Sequence, residues 1–155
     1  MRKLIAAALL AAVPLAAVPL AMAQAPAAQT PAAAPARTAS PPGAEVYIIS
    51  PKDGAIVHNP VLVQFGLKGM GVAPAGTKYD NTGHHHLLID TDPPADQSAP
   101  LPATDKIVHF GKGQTETTVN LSPGKHTLQL LFADLNHIPH SPPVLSKKIT
   151  ITVKP

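Results

Sequence analysis

Eight of the 155 residues are histidine, and His84, His85 and His86 are consecutive. Further on, Asp134, His137 and His140 form a D-x-x-H-x-x-H run. On an extended strand, residues i and i+2 point to one face, about 6.5–7 Å apart. His84 and His86 can therefore offer two imidazoles to one ion, while His85 points the other way. Neutral imidazole suits zinc, copper, nickel and iron(II). We expect a metal set of His84, His86, His137, His140 and Asp134. Asp134 has three open readings: a ligand, a carboxylate orienting an imidazole, or a turn former. His109, beside Phe110 at the end of a short apolar run, reads as a supporting or structural group. His85 and Met70 are further candidates at the margin. A thioether from Met70 would favour copper, although methionine is also a common packing residue. His58 and His126 read as ordinary surface histidines.

Other chemistries are closed off. The chain has no cysteine, which excludes disulfides, thiolate zinc sites, iron–sulfur clusters and blue-copper centres. It contains no G-x-S-x-G and no H-E-x-x-H motif, and its two glutamates, Glu45 and Glu116, fall in expected strands. The expectation is thus a carrier, buffer or chaperone for copper or zinc, with a periplasmic protein as a possible partner. One alternative is a binding module that uses the same loops for a ligand or protein without metal. A metal-dependent enzyme comes third.

The elements that must position these groups begin after residue 43. Met1-Arg2-Lys3, an apolar stretch to Ala23 and the small-x-small Ala21-Met22-Ala23 have the pattern of a secretory signal peptide. This predicts a periplasmic or secreted protein with no stable membrane insertion after cleavage. Without Arg2 and Lys3, ten basic residues face nine acidic ones, so the net charge is about +1. With 3% aromatic residues and no Trp, nucleic-acid binding is disfavoured. Residues 24–43 are rich in Ala and Pro and read as a disordered tether. Residues 44–155 remain for one domain.

That domain shows no amphipathic helix. Pro, Gly, Asn and Asp cut it into short β-branched and apolar runs. The expected strands are 45–50, 61–67, 85–89, 106–110, 115–121, 126–133 and 146–153. Seven short strands suggest an all-β immunoglobulin- or fibronectin-III-like Greek-key sandwich, with a cupredoxin-like barrel as the alternative. In the Greek-key order, the connections before 85–89, after 106–110 and after 126–133 share one end. Six of the eight histidines would gather there, leaving His58 and His126 at the other end.

Four strings sharpen the reading: GLKGMGVAPAG (66–76), NTGHHHLLID (81–90), HFGKGQTETTVNLSPGKHTLQLLFAD (109–134) and HIPHSPPVLSKKITITV (137–153). With them the chain resembles a bacterial family catalogued as domain of unknown function 4399. The matching positions are His84, His85, His86, His109, Gly111, Gly113, Pro123, Gly124, His126, Asp134, His137, Pro139 and His140. The resemblance implies an exported all-β domain and brings no activity with it.

Overall fold

The computed structural model of the protein describes residues 37–155, and every regular element in it is a β-strand. The expected signal segment and residues 24–36 of the tether lie outside the described residues. The strands are β1 (Glu45–Ser50), β2 (Ile56–His58), β3 (Val61–Lys68), β4 (Gly71–Val72), β5 (Thr82–Ile89), β6 (Ile107–His109), β7 (Glu116–Val119), β8 (Gly124–Ala133), β9 (Pro139–Leu145) and β10 (Ile149–Lys154). All seven stretches expected from the sequence contain a strand. Among the described residues the fold nevertheless has ten strands, not seven. β2 and β4 are three and two residues long, too short to carry a readable alternation. β9 contains Pro139, Pro142 and Pro143, and proline donates nothing to a ladder. It is tolerated because β9 meets β8 at only three registered positions, with a shift between Phe132 and Ala133.

The strands form a three-stranded sheet, β1-β3-β7, and a seven-stranded sheet, β2-β10-β8-β5-β4, with β6 on β5 and β9 on β8. Alternation on each strand explains the packing. Val46, Val61, Val63 and Phe65 of the small sheet share one core with Leu87, Leu128, Leu130, Phe132 and Ile151 of the large sheet. The opposite face of β5 and β8 is buried as well. There Leu88 and Leu131 pack with Ile107, Ala133 and Leu101 in a second, smaller core. Leu101 comes from the long connection between β5 and β6, which folds back over that face. β5 and most of β8 are thus covered on both sides.

Residues 37–43, placed in the tether by composition, are ordered against β9. Ala39 makes a parallel bridge with Ser141. The Ser40 amide donates to the Ser141 carbonyl at 3.1 Å, and the Ser141 amide donates to the Thr38 carbonyl at 2.9 Å.

Candidate metal centre

His84 and His86 lie on the outward face of β5, the face that carries Leu88. His85 points into the main core between Phe65 and Phe132, with ring centroids 5.1 and 5.0 Å away. Gly83 permits this arrangement, because a Cβ there would meet the Ala133 carbonyl and come within 2.9 Å of the Phe132 ring. The end of β8 can therefore lie close to the start of β5, pairing His84 with Ala133. On the other edge of β5, His86 pairs with His109 of β6. The His109 ring folds over Gly111, where any Cβ would overlap the imidazole.

His137 arrives from the turn after β8. Asp134 builds this turn: its Oδ1 accepts the Asn136 amide at 2.9 Å and the Ile138 amide at 3.0 Å. The His137 amide donates to the Asp134 carbonyl at 3.0 Å. His137 itself sits at φ 66°, a left-handed conformation that costs a non-glycine residue roughly 1 kcal/mol or more. On the second core's side, the Leu101 amide donates to the His137 carbonyl at 2.8 Å.

Four imidazoles result, side by side. Ring centroids are 4.8 Å apart for His84–His86, 4.9 Å for both His84–His109 and His84–His137, and 4.6 Å for His109–His137. His86 lies 5.2 Å from His109 and 6.0 Å from His137. Ligand nitrogens of His84, His109 and His137 all fall within 4.8 Å of one another. His109 Nε2 and His137 Nε2 are 3.1 Å apart. Two nitrogens bound at 2.0–2.1 Å to a tetrahedral ion would be about 3.3 Å apart, so this spacing suits a shared ion. The group is able to hold a metal ion.

The electrostatics agree. His84 and His86 are fully buried, His137 is half-buried and His109 is exposed. Burial pushes the His84 pKa down to about 4, assisted by repulsion from His109 and His137 and opposed by Asp134. Burial, with the neighbouring histidines, takes His86 to about 3. Burial and His137 lower His109 too. At neutral pH these three rings are uncharged, the form that ligates metals. Neither ring nitrogen of His84 or His86 has a hydrogen-bond partner among the described residues. Unpaired buried polar atoms are costly, and an ion shared with His109 and His137 would satisfy one nitrogen of His84. Orphan nitrogens alone do not mark the site, since His85 and His140 have them as well. Convergence does.

The other expected site residues, and the two histidines read as surface groups, stand outside the four rings themselves. His140 is buried with its ring centroid 6.0 Å from that of Phe132, outside the four-ring group. Asp134 has its oxygens engaged by the turn and by the Thr38 hydroxyl at 2.7 Å. Met70 is half-buried against the main core. His58 is exposed, its Nδ1 3.3 Å from the Pro155 carbonyl oxygen. His126 is half-buried and paired with Asp90 at 2.7 Å. His109, read from sequence as supporting, stands among the three histidines whose ring nitrogens come together and could hold an ion. The His-x-Gly spacing of His109 and Gly111 was the available signal, because a missing Cβ leaves room for a folded-back ring.

Ser122, His126 and Asp90 line up in the order of a catalytic triad. The His126 Nε2 lies 2.8 Å from the Ser122 carbonyl and 3.4 Å from its hydroxyl, and Nδ1 faces Asp90. Both ring nitrogens face acceptor oxygens, and the hydrogen bond to Asp90 raises the ring's pKa. Nε2 is closer to the Ser122 carbonyl than to its hydroxyl, so the carbonyl takes the contact that a nucleophile would need. This is a turn clamp.

A model of the family described as "Domain of unknown function (DUF4399)" matches residues 63–154. That span holds all four clustered histidines and begins after β1 and β2. No curated protein and no solved structure matches the chain.

Proposed function

The chain belongs to the DUF4399 family; because that description names no activity, we propose from the site itself that the protein is an exported carrier, buffer or chaperone for a copper or zinc ion. His84, His109 and His137 hold the ion, and His86 approaches it from the buried side. One observation carries the reading: three imidazoles from separate stretches of chain bring ligand nitrogens within 4.8 Å of one another. The ligand set is neutral and lacks sulfur, a composition suited to zinc or copper. Exposed His109 leaves the ion reachable from solvent, so it can be collected and handed on by ligand exchange. Export rests on the signal-like segment 1–23. The pairing of β1-β3-β7 opposite β10-β8-β5-β6 supports a fibronectin-III-like sandwich as the scaffold.

Titration of the purified protein with Zn(II) and Cu(II) tests the proposal. We expect one ion per chain, bound more tightly than about micromolar, which is about 8 kcal/mol. Substituting alanine for His84, His109 or His137 should weaken binding sharply, whereas His58→Ala should leave it unchanged. Absence of binding in the unsubstituted protein, or equal binding by all variants, would overturn the assignment.

A further inference from the structure

The turn that carries His137 is held partly by residues far upstream. Thr38 Oγ1 donates to Asp134 Oδ2 at 2.7 Å, while Asp134 Oδ1 holds the amides on either side of His137. Arg37 reaches over the same region. Its Nε donates to the Pro139 carbonyl at 2.9 Å, and Nη2 donates to the His140 carbonyl and, at 3.3 Å, to Gln97 Oε1. Gln97 belongs to the long β5–β6 connection, whose Leu101 amide donates to the His137 carbonyl. The backbone around His137 is thus held on one side by Asp134, which Thr38 engages, and on the other by the connection whose Gln97 Arg37 engages. Ala39 and Ser40 fasten the segment to Ser141 of β9. A left-handed histidine needs such support, since its conformation is not locally preferred.

We propose that residues 37–40 act as a strap that positions His137 through Asp134, so that strap docking and ion binding at the histidine cluster are coupled. The inference rests on the metal-carrier reading and adds its regulation. The strap lies outside the segment 63–154 that matches the family, so a site within that segment is completed from outside it. Coupling of this kind is reciprocal. A docked strap raises ion affinity, and a bound ion holds the strap down. Pulling the strap away from β9 would weaken the hold on the ion by the same factor. Arg37 and Thr38 are positioning residues here and not ligands.

The test uses the full chain and two substitutions, Arg37→Gln and Thr38→Val. Zn(II) affinity is measured by competition against Co(II), with the Co(II) ligand-field spectrum as a report on geometry. We expect each variant to bind roughly tenfold more weakly, the scale seen when a group supporting a ligand is lost, with an altered Co(II) spectrum. Amide exchange at Ser40 and Ser141 should slow when Zn(II) is added to the unsubstituted protein. Unchanged affinity and spectrum in both variants, or exchange indifferent to Zn(II), would overturn the coupling. A merely structural strap would lower the melting temperature and leave the spectrum alone. If the unsubstituted protein takes up neither ion, the metal reading and the coupling fall together. Positioning is then read without metal, from the His137 ring resonance: a shift in Thr38→Val supports it, and an unmoved resonance removes it.

Discussion

At the residue scale, the site depends on absent atoms as much as on ligands. Gly111 has no Cβ, and the His109 imidazole occupies the space one would fill. Gly111→Ala should therefore displace His109 and weaken Zn(II) binding by roughly ten- to a hundredfold. Because His109 is exposed, thermal stability should change little. Calorimetric titration beside a melting curve separates the two effects, and wild-type affinity in the variant would contradict the role given to this glycine. Protonation gives a second residue-scale prediction. Ligands must be neutral, and burial holds His84 down to about 4 and lowers His109 as well. These two rings should stay available below the ordinary histidine range. Zn(II) release followed during acidification should then begin well below pH 6.5. Release already complete above pH 6.5 would contradict the part given to these two rings.

At the scale of elements, β5 and β8 carry apolar residues on both faces, yet β5 spends three of its buried positions on histidine. Where β5 ends, a different device closes it. Asp90 stands at φ 51° and its Oδ1 accepts the Thr127 amide at 2.7 Å. Its Oδ2 faces His126 Nδ1 at 2.7 Å, and this raises the His126 pKa. A raised folded pKa adds stability that is complete below the unfolded value of about 6.5 and disappears as pH rises through the folded value. Asp90→Asn should thus destabilise the domain more at pH 6 than at pH 9. Urea unfolding at the two pH values measures this, and an equal loss at both would rule out the charged pair.

For the whole molecule, the three consecutive histidines set the response to acid. Burial lowers His85 to about 4, alongside His84 at about 4 and His86 at about 3; His140 is lowered too, again by burial. In the unfolded chain these rings take up protons near pH 6.5, so the folded state loses stability as pH falls from there toward 4. The opposing contribution of His126 is one half-buried ring against several fully buried ones. Each pKa unit is worth about 1.4 kcal/mol, so the metal-free protein should lose several kcal/mol between pH 7 and pH 4.5. Denaturant melts across that range check this, and a flat profile would mean that the buried rings are hydrated. Bound Zn(II) should offset part of the loss, by as much as it binds the folded state more tightly than the unfolded one.

The sequence by itself determined the β character, the run 45–50 to its last residue and the presence of imidazoles suited to a metal. Those follow from local chemistry: side-chain alternation, turn residues and histidine spacing. It also marked His84 and His86 as sharing a face, since period-two geometry is intrinsic to a strand. Tertiary structure alone decided which other rings joined them. His109 is placed opposite His86 by a pairing across a long connection. His137 is turned toward it by a left-handed residue that Asp134 and the upstream strap hold, whereas His140, three residues on, packs against Phe132. The proline-bearing β9 and the ordering of 37–43 were hidden for the same reason. Each exists because another segment supplies its partners, and a partner distant along the chain leaves no mark on local composition.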